Sequence, residues 1–106
     1  NFLTLRDDPG DNLPVSRSGL DCFPNPFRDY ITLRIEVPTA GKYKLEVYDL
    51  QGRLLNIMAD QEIGTEAFYI DWDGRDSNNQ ILPGGIYFVR LSGKDQQLNL
   101  KLIFVR

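Results

Sequence analysis

Three groups of side chains in this 106-residue chain have types and spacing that could do chemistry. Asp71, Asp73 and Asp76, in "DWDGRD", alternate closely enough to offer a divalent cation several carboxylate oxygens. They lack the later glutamate and the glycine spacing of a calcium-binding helix–loop–helix, so an Asp-Gly turn whose side chains cap local amides explains them better. Cys22 is the only cysteine; a nucleophilic thiolate needs an activating neighbour, and none stands near it in the sequence. The pattern predicts a buried apolar thiol between Leu20 and Phe23. Tyr30, Tyr43, Tyr48, Tyr69 and Tyr87, with Trp72, could stack on sugar rings, but such residues in strands more often fill a core or a sheet face. The chain has no histidine, which removes the commonest general base and metal ligand. No catalytic set, metal centre or cofactor site follows from the residues.

The elements that position these groups are strands. "ITLRIEV" places Ile31, Leu33, Ile35 and Val37 on one face and Thr32, Arg34 and Glu36 on the other. "KYKLEV" repeats the period with Tyr43, Leu45 and Val47, and "AFYIDW" with Phe68, Ile70 and Trp72. "LLNIMA" is a weaker strand, followed by "QEIGTE" as a polar connection. "IYFVRL" and "LNLKLIFV" complete the set, the latter with Leu98, Leu100, Leu102 and Phe104 on one face. Counting "GLDCF", about seven strands recur at the spacing of an immunoglobulin-like antiparallel β-sandwich. No run of ten residues has a helical period. "DLQGR" forms a turn in which Gly52 supplies a positive φ, and "DGRDSNNQILPGG" is the longest loop.

Composition sets the outer bounds. Apolar residues make up 42% and charged residues 25%, ordinary globular usage. The net charge of −3 and isoelectric point near 4.8 argue against nucleic-acid binding, which needs clustered Lys and Arg. No apolar run approaches the ~20 residues that cross a bilayer as a helix. Residues 1–18, "NFLTLRDDPGDNLPVSRS", show no sustained period and are expected to be a linker or the tail of an upstream region; residues 19–106 are expected to be the folded domain.

The turns carry a resemblance. "FPNPF", "LEVYDLQGRLL", "DWDGRDSNNQILPGGIYFVRL" and the terminal "KLIFVR" occur in that order, and from residue 20 onward the chain resembles the C-terminal sorting domain, type A-like, of proteins exported by the type IX secretion system of Bacteroidota. Relatives often carry Gly where this chain has Asn79 or Gln80, so an asparagine is expected to reach φ > 0 there. The resemblance implies a signal domain at the end of a larger cargo, recognised in the periplasm and directed through the outer-membrane translocon. It further implies removal by a sortase-like peptidase, with the cargo reaching the cell surface or the medium.

Position by position, the signal motif would comprise Pro24, Asn25, Pro26, Gly52, Gly85, Tyr87, Lys101, Leu102 and Arg106. Cleavage would fall before the first strand, among Asp7, Asp8, Pro9, Gly10, Asp11, Asn12, Ser16, Arg17 and Ser18, where extended backbone suits a protease. The segment Lys101–Arg106 could dock by β-addition, to a receptor or to a second copy in a homodimer. Pro24 and Pro26, which lack donors, are expected to form a stiff elbow anchored by Phe23 and Phe27. The alternatives are a passive immunoglobulin-like spacer and a carbohydrate-binding module.

Overall fold

In the computed structural model, residues 19–93 and 96–105 are described. Seven strands form two antiparallel sheets, and the sandwich read from the alternating sequence is the one observed. Strands β1 (Gly19–Phe23), β2 (Ile31–Glu36) and β5 (Phe68–Trp72) make a three-stranded sheet in the order β1-β2-β5. Strands β4 (Leu54–Ile63), β3 (Gly41–Tyr48), β6 (Gly85–Gly93) and β7 (Gln96–Phe104) make a four-stranded sheet in the order β4-β3-β6-β7.

The period-two residues face each other across the interior, as strand geometry requires. Ile31, Leu33 and Ile35 from β2 are fully buried against Leu45 and Val47 from β3, Val89 and Leu91 from β6, and Leu102 from β7. Leu20 and Cys22 of β1 and Leu98 and Leu100 of β7 are partly buried where they pack on that core. Cys22 is therefore half-buried at the margin of the core rather than enclosed in it.

Strand β4 is longer than expected, because "QEI" belongs to it and the connection begins only at Gly64. Pairing with β3 shifts twice, between Leu45↔Ala59 and Glu46↔Ile57, where Met58 is an extra residue in a β-bulge, and between Val47↔Asn56 and Tyr48↔Leu54, where Leu55 is. The bulges break the alternation of "LLNIMADQEI", and Ile63, buried opposite Gly41, shows that the strand resumes beyond them.

The centre and margin of the core are expected to respond differently to truncation. Leu45→Ala should cost about 2–5 kcal/mol of unfolding free energy, as for a fully enclosed leucine, and Leu20→Ala distinctly less. Urea titrations of the two variants measure this. Equal losses would contradict the assignment of Leu45 to the centre.

Candidate functional site

Most of the motif residues named from the sequence gather at one end of the sandwich, where β2 and β6 begin and β3, β5 and β7 finish. The Pro24–Asn25–Pro26 segment lies along the outer edge of β7. Both prolyl bonds are cis. Asn25 sits between two residues with no N–H, and its carboxamide behaves as a detached peptide group. Its Nδ2 donates to the Lys101 carbonyl at 3.0 Å, and its Oδ1 accepts from the Ile103 amide at 2.9 Å. Phe27 continues the pairing, its amide donating to Ile103 O (2.9 Å) while its carbonyl accepts from Val105 N (2.8 Å). A side chain and one residue of main chain thus occupy the β7 edge from Lys101 to Val105.

This corrects the expectation that the terminal strand is an open edge for β-addition. Alternation along β7 leaves only Gln97 and Asn99 directing backbone groups outward beyond the covered stretch. It also corrects the anchoring of the elbow. Phe27 is 1% exposed and serves as an anchor, whereas Phe23 is 48% exposed and does not.

Under the elbow lies an aromatic cluster. The Phe27 ring stacks on Phe104 at 4.7 Å between centroids and is tilted against Trp72 at 5.8 Å. Trp72 meets Tyr87 edge-on at 6.3 Å. The polar tips find backbone partners, as buried Trp and Tyr require: Trp72 Nε1 donates to Arg75 O (2.9 Å), and the Tyr87 hydroxyl to Pro83 O. Gly74, at φ 80°, passes so close that an added Cβ would stand 2.6 Å from Phe104 Cε2. The main chain of the 73–85 loop therefore has glycine where it crosses the stack.

The loop and turn are held by their aspartates. Asp76 Oδ1 accepts from the Asn78 and Gln80 amides, at 2.9 and 3.0 Å. Asp71 accepts from Thr32 Oγ1 at 2.7 Å, and Asp73 pairs with Arg75 Nε at 3.2 Å. These three carboxylates thus face different partners, and among the described residues no group of acidic and sulfur ligands converges as a metal site. Asn79, at φ 63°, takes the positive conformation expected of it. In the β3–β4 turn, Asp49 Oδ1 accepts from the Gln51 and Arg53 amides and Oδ2 from Arg53 Nε at 2.7 Å, while Gly52 sits at φ 85°. Those hydrogen bonds, the Arg53 amide first, hold the Asp49 carboxyl below its ordinary pKa. Its share of the turn's stability is present above the ordinary carboxylate range and is lost as pH falls through the depressed pKa.

Between this turn and the start of β6 runs a shallow groove of about 280 Å³, walled by Leu50, Leu55, Leu82, Pro83, Ile86 and Tyr87. Gly85 lies in its lining, and Tyr87, 5% exposed, closes it from the core side. Lys101 projects from the outer face of β7, whereas Leu102 is fully buried, so the motif's leucine acts through packing. Arg106 and the cleavage candidates Asp7 to Ser18 lie outside the described residues. The tyrosines do not form one platform: Tyr43 and Tyr87 are buried, while Tyr30 and Tyr69 are more than half exposed.

Reading the sequence missed the pairing of Asn25 with β7, the Phe27–Phe104 stack and the close pass of Gly74. The first had a signal. Between two prolines the segment keeps a single backbone N–H, so the asparagine carboxamide is its other source of donors and has to find a partner.

Burial, then the nearby Asp21 charge, raises the Cys22 thiol to about 11, outweighing a hydrogen bond to Asn25. Near pH 8 so little thiolate is present that iodoacetamide should alkylate Cys22 in the native chain at least about tenfold more slowly than in urea. Alkylation at the rate of the unfolded chain would show an accessible, activated thiol. Asn25→Ala is expected to cost about 1–2 kcal/mol, because it removes two exposed hydrogen bonds and leaves the Lys101 carbonyl and the Ile103 amide to water. Hydrogen exchange should quicken at Ile103 more than at Leu102, which pairs with β6. Uniform quickening along β7 would deny the local role of the carboxamide.

The family described as the secretion system C-terminal sorting domain matches residues 21–105. Two solved structures from Porphyromonas gingivalis share the fold. PorU, described as dimeric and latent, superposes with a TM-score of 0.64 and 25% identity over 91% of this chain and 10% of its own. PorZ, described as an essential surface component of the type IX secretion system, superposes with a TM-score of 0.60 and 21% identity over 83% of this chain and 12% of its own. The chain thus spans about a tenth of the length of these two proteins. No curated protein matches it. The match covers β1 from Asp21 and the other six strands whole, with the loops that join them at the motif end, and the chain belongs to the family of type IX secretion C-terminal sorting domains.

Proposed function

We propose that residues 19–106 are the export address of a larger cargo and are read at the motif end by the outer-membrane translocon. The cargo crosses the periplasm, and a sortase-like peptidase then cuts within Asp7–Ser18, releasing the cargo at the cell surface. The observation that carries this reading is the family match over 21–105, together with the convergence of the "PNP", "DLQGR", "LPGGIY" and "KLIF" segments on one end of the sandwich. The apolar groove there, with Leu50 61% and Ile86 36% exposed, offers a receptor side chains that the core does not use.

Truncating the terminus is a poor test, since Leu102 and Phe104 belong to the core and their loss would unfold any sandwich. A surface change separates recognition from stability. Residues 1–106 fused behind an exported reporter should carry it to the surface or medium of a type IX-competent host. Leu50→Asp with Ile86→Asp should leave the reporter in the periplasm, while the melting temperature of the isolated chain moves by no more than a few degrees. Export undiminished by the double substitution would remove the groove from the signal. A wild-type fusion that stays periplasmic would leave the spacer reading in its place.

A further inference from the structure

The outer face of the four-stranded sheet carries a pattern that the core does not use and that continues from the motif end along the strands. Across β4, β3, β6 and β7, one row reads Leu54, Tyr48, Phe88, Lys101, and the next Ile57, Glu46, Arg90, Asn99. Leu54 and Ile57 are 48% and 46% exposed. The Arg90 guanidinium lies 5.0 Å above the Tyr48 ring, and its Nε donates to Asn99 Oδ1 at 3.3 Å. Glu46 accepts from the Tyr48 hydroxyl at 3.0 Å. Glu46 and Arg90 are direct cross-strand neighbours on the two central strands, yet they form no ion pair with each other.

We propose that this face is the interface of a homodimer, packed sheet to sheet about a two-fold axis that runs parallel to the strands between β3 and β6. Such an axis sets each β3 position against the β6 position of the same row in the second copy. Glu46 then meets the partner's Arg90 and Arg90 the partner's Glu46, while Tyr48 and Phe88 meet their aromatic counterparts in the adjacent row. The contact is self-complementary in charge at Glu46 and Arg90 and in aromatic surface at Tyr48 and Phe88, as an isologous contact requires, while Leu54 and Ile57 of β4 lie across from Lys101 and Asn99 of β7 in the second copy. Facing sheets sit about 10 Å apart with strands within about 30° of each other. These pairs lie near the axis, where that rotation displaces them least. A lipid surface fits less well, since covering Glu46 would take its carboxylate out of water with no fixed counter-charge set against it. The contact uses side chains of the face and leaves the Gln97 and Asn99 edge untouched.

Sedimentation equilibrium on the full chain from about 10 µM to about 1 mM tests this, the range suited to a small interface. A monomer–dimer equilibrium is expected. Glu46→Arg alone and Arg90→Glu alone should each raise the dissociation constant at least about tenfold, by opposing like charges. An equimolar mixture of the two should form a heterodimer, because both pairs are then restored with reversed or native sign. Circular dichroism checks that each variant is folded. Should one unfold, Phe88→Ser, on the outer face beside the axis, should weaken the dimer instead. A wild-type chain that stays monomeric throughout, or a mixture that fails to associate, would overturn the proposal. So would a dimer lost on Gln97→Pro but kept in both charge variants, the result expected of edge-strand pairing.

Discussion

The carboxamide of Asn25 is the point on which the motif end depends. It supplies one donor and one acceptor to β7, and the adjacent prolines supply none. With the side chain standing in for a peptide unit, the segment runs beside β7 for two residues without forming a strand. Phe27 then takes over the pairing with its main chain and lowers its ring onto Phe104. From that stack the order passes to Trp72, to Tyr87, and through their polar tips to the carbonyls of Arg75 and Pro83. Loops that would otherwise be independent are therefore referenced to one aromatic centre.

Edge protection follows from the same arrangement. The sandwich has four edge strands, which in isolation invite pairing with other chains. The covered part of β7 is closed by the elbow. The start of β4 is closed by the 73–85 loop, through Ser77 N to Leu55 O and Asn56 Nδ2 to Arg75 O, both at 2.9 Å. Further along β4, the bulge at Met58 and the exposed run Asp60–Gln61–Glu62 make an unfavourable template. The sorting motifs thus serve the fold while forming the surface proposed for recognition. This dual duty explains why short, separated turns could identify the family when the strands between them are merely apolar.

The strands were legible because "ITLRIEV" and "KYKLEV" alternate without error, and a one-residue slip would turn each inside out. "LLNIMADQEI" was only partly legible, since a bulge is invisible to a period-two pattern. At the site, Gly52 and Asn79 could be read from the conformations their turns demand. Gly74 could not, since what confines it is a ring thirty residues away along the chain, supplied by Phe104. Lys101 and Leu102 look equivalent as letters in a terminal motif, yet one faces solvent and the other is fully enclosed. The open or closed state of an edge depends on what lies beside it in space. Nothing in "KLIFV" announces that "PNPF" will be its neighbour.

The two bonds of Asn25 span 76 and 78 residues of chain. During synthesis the elbow emerges long before its partners, and it stays unfastened until Ile103 and Val105 have left the ribosome. A polypeptide released early would carry every upstream strand and still lack the closure that orders the motif end. Fastening of the elbow therefore waits on translation through residue 105: the strand that completes the core is also the one that orders the motif end.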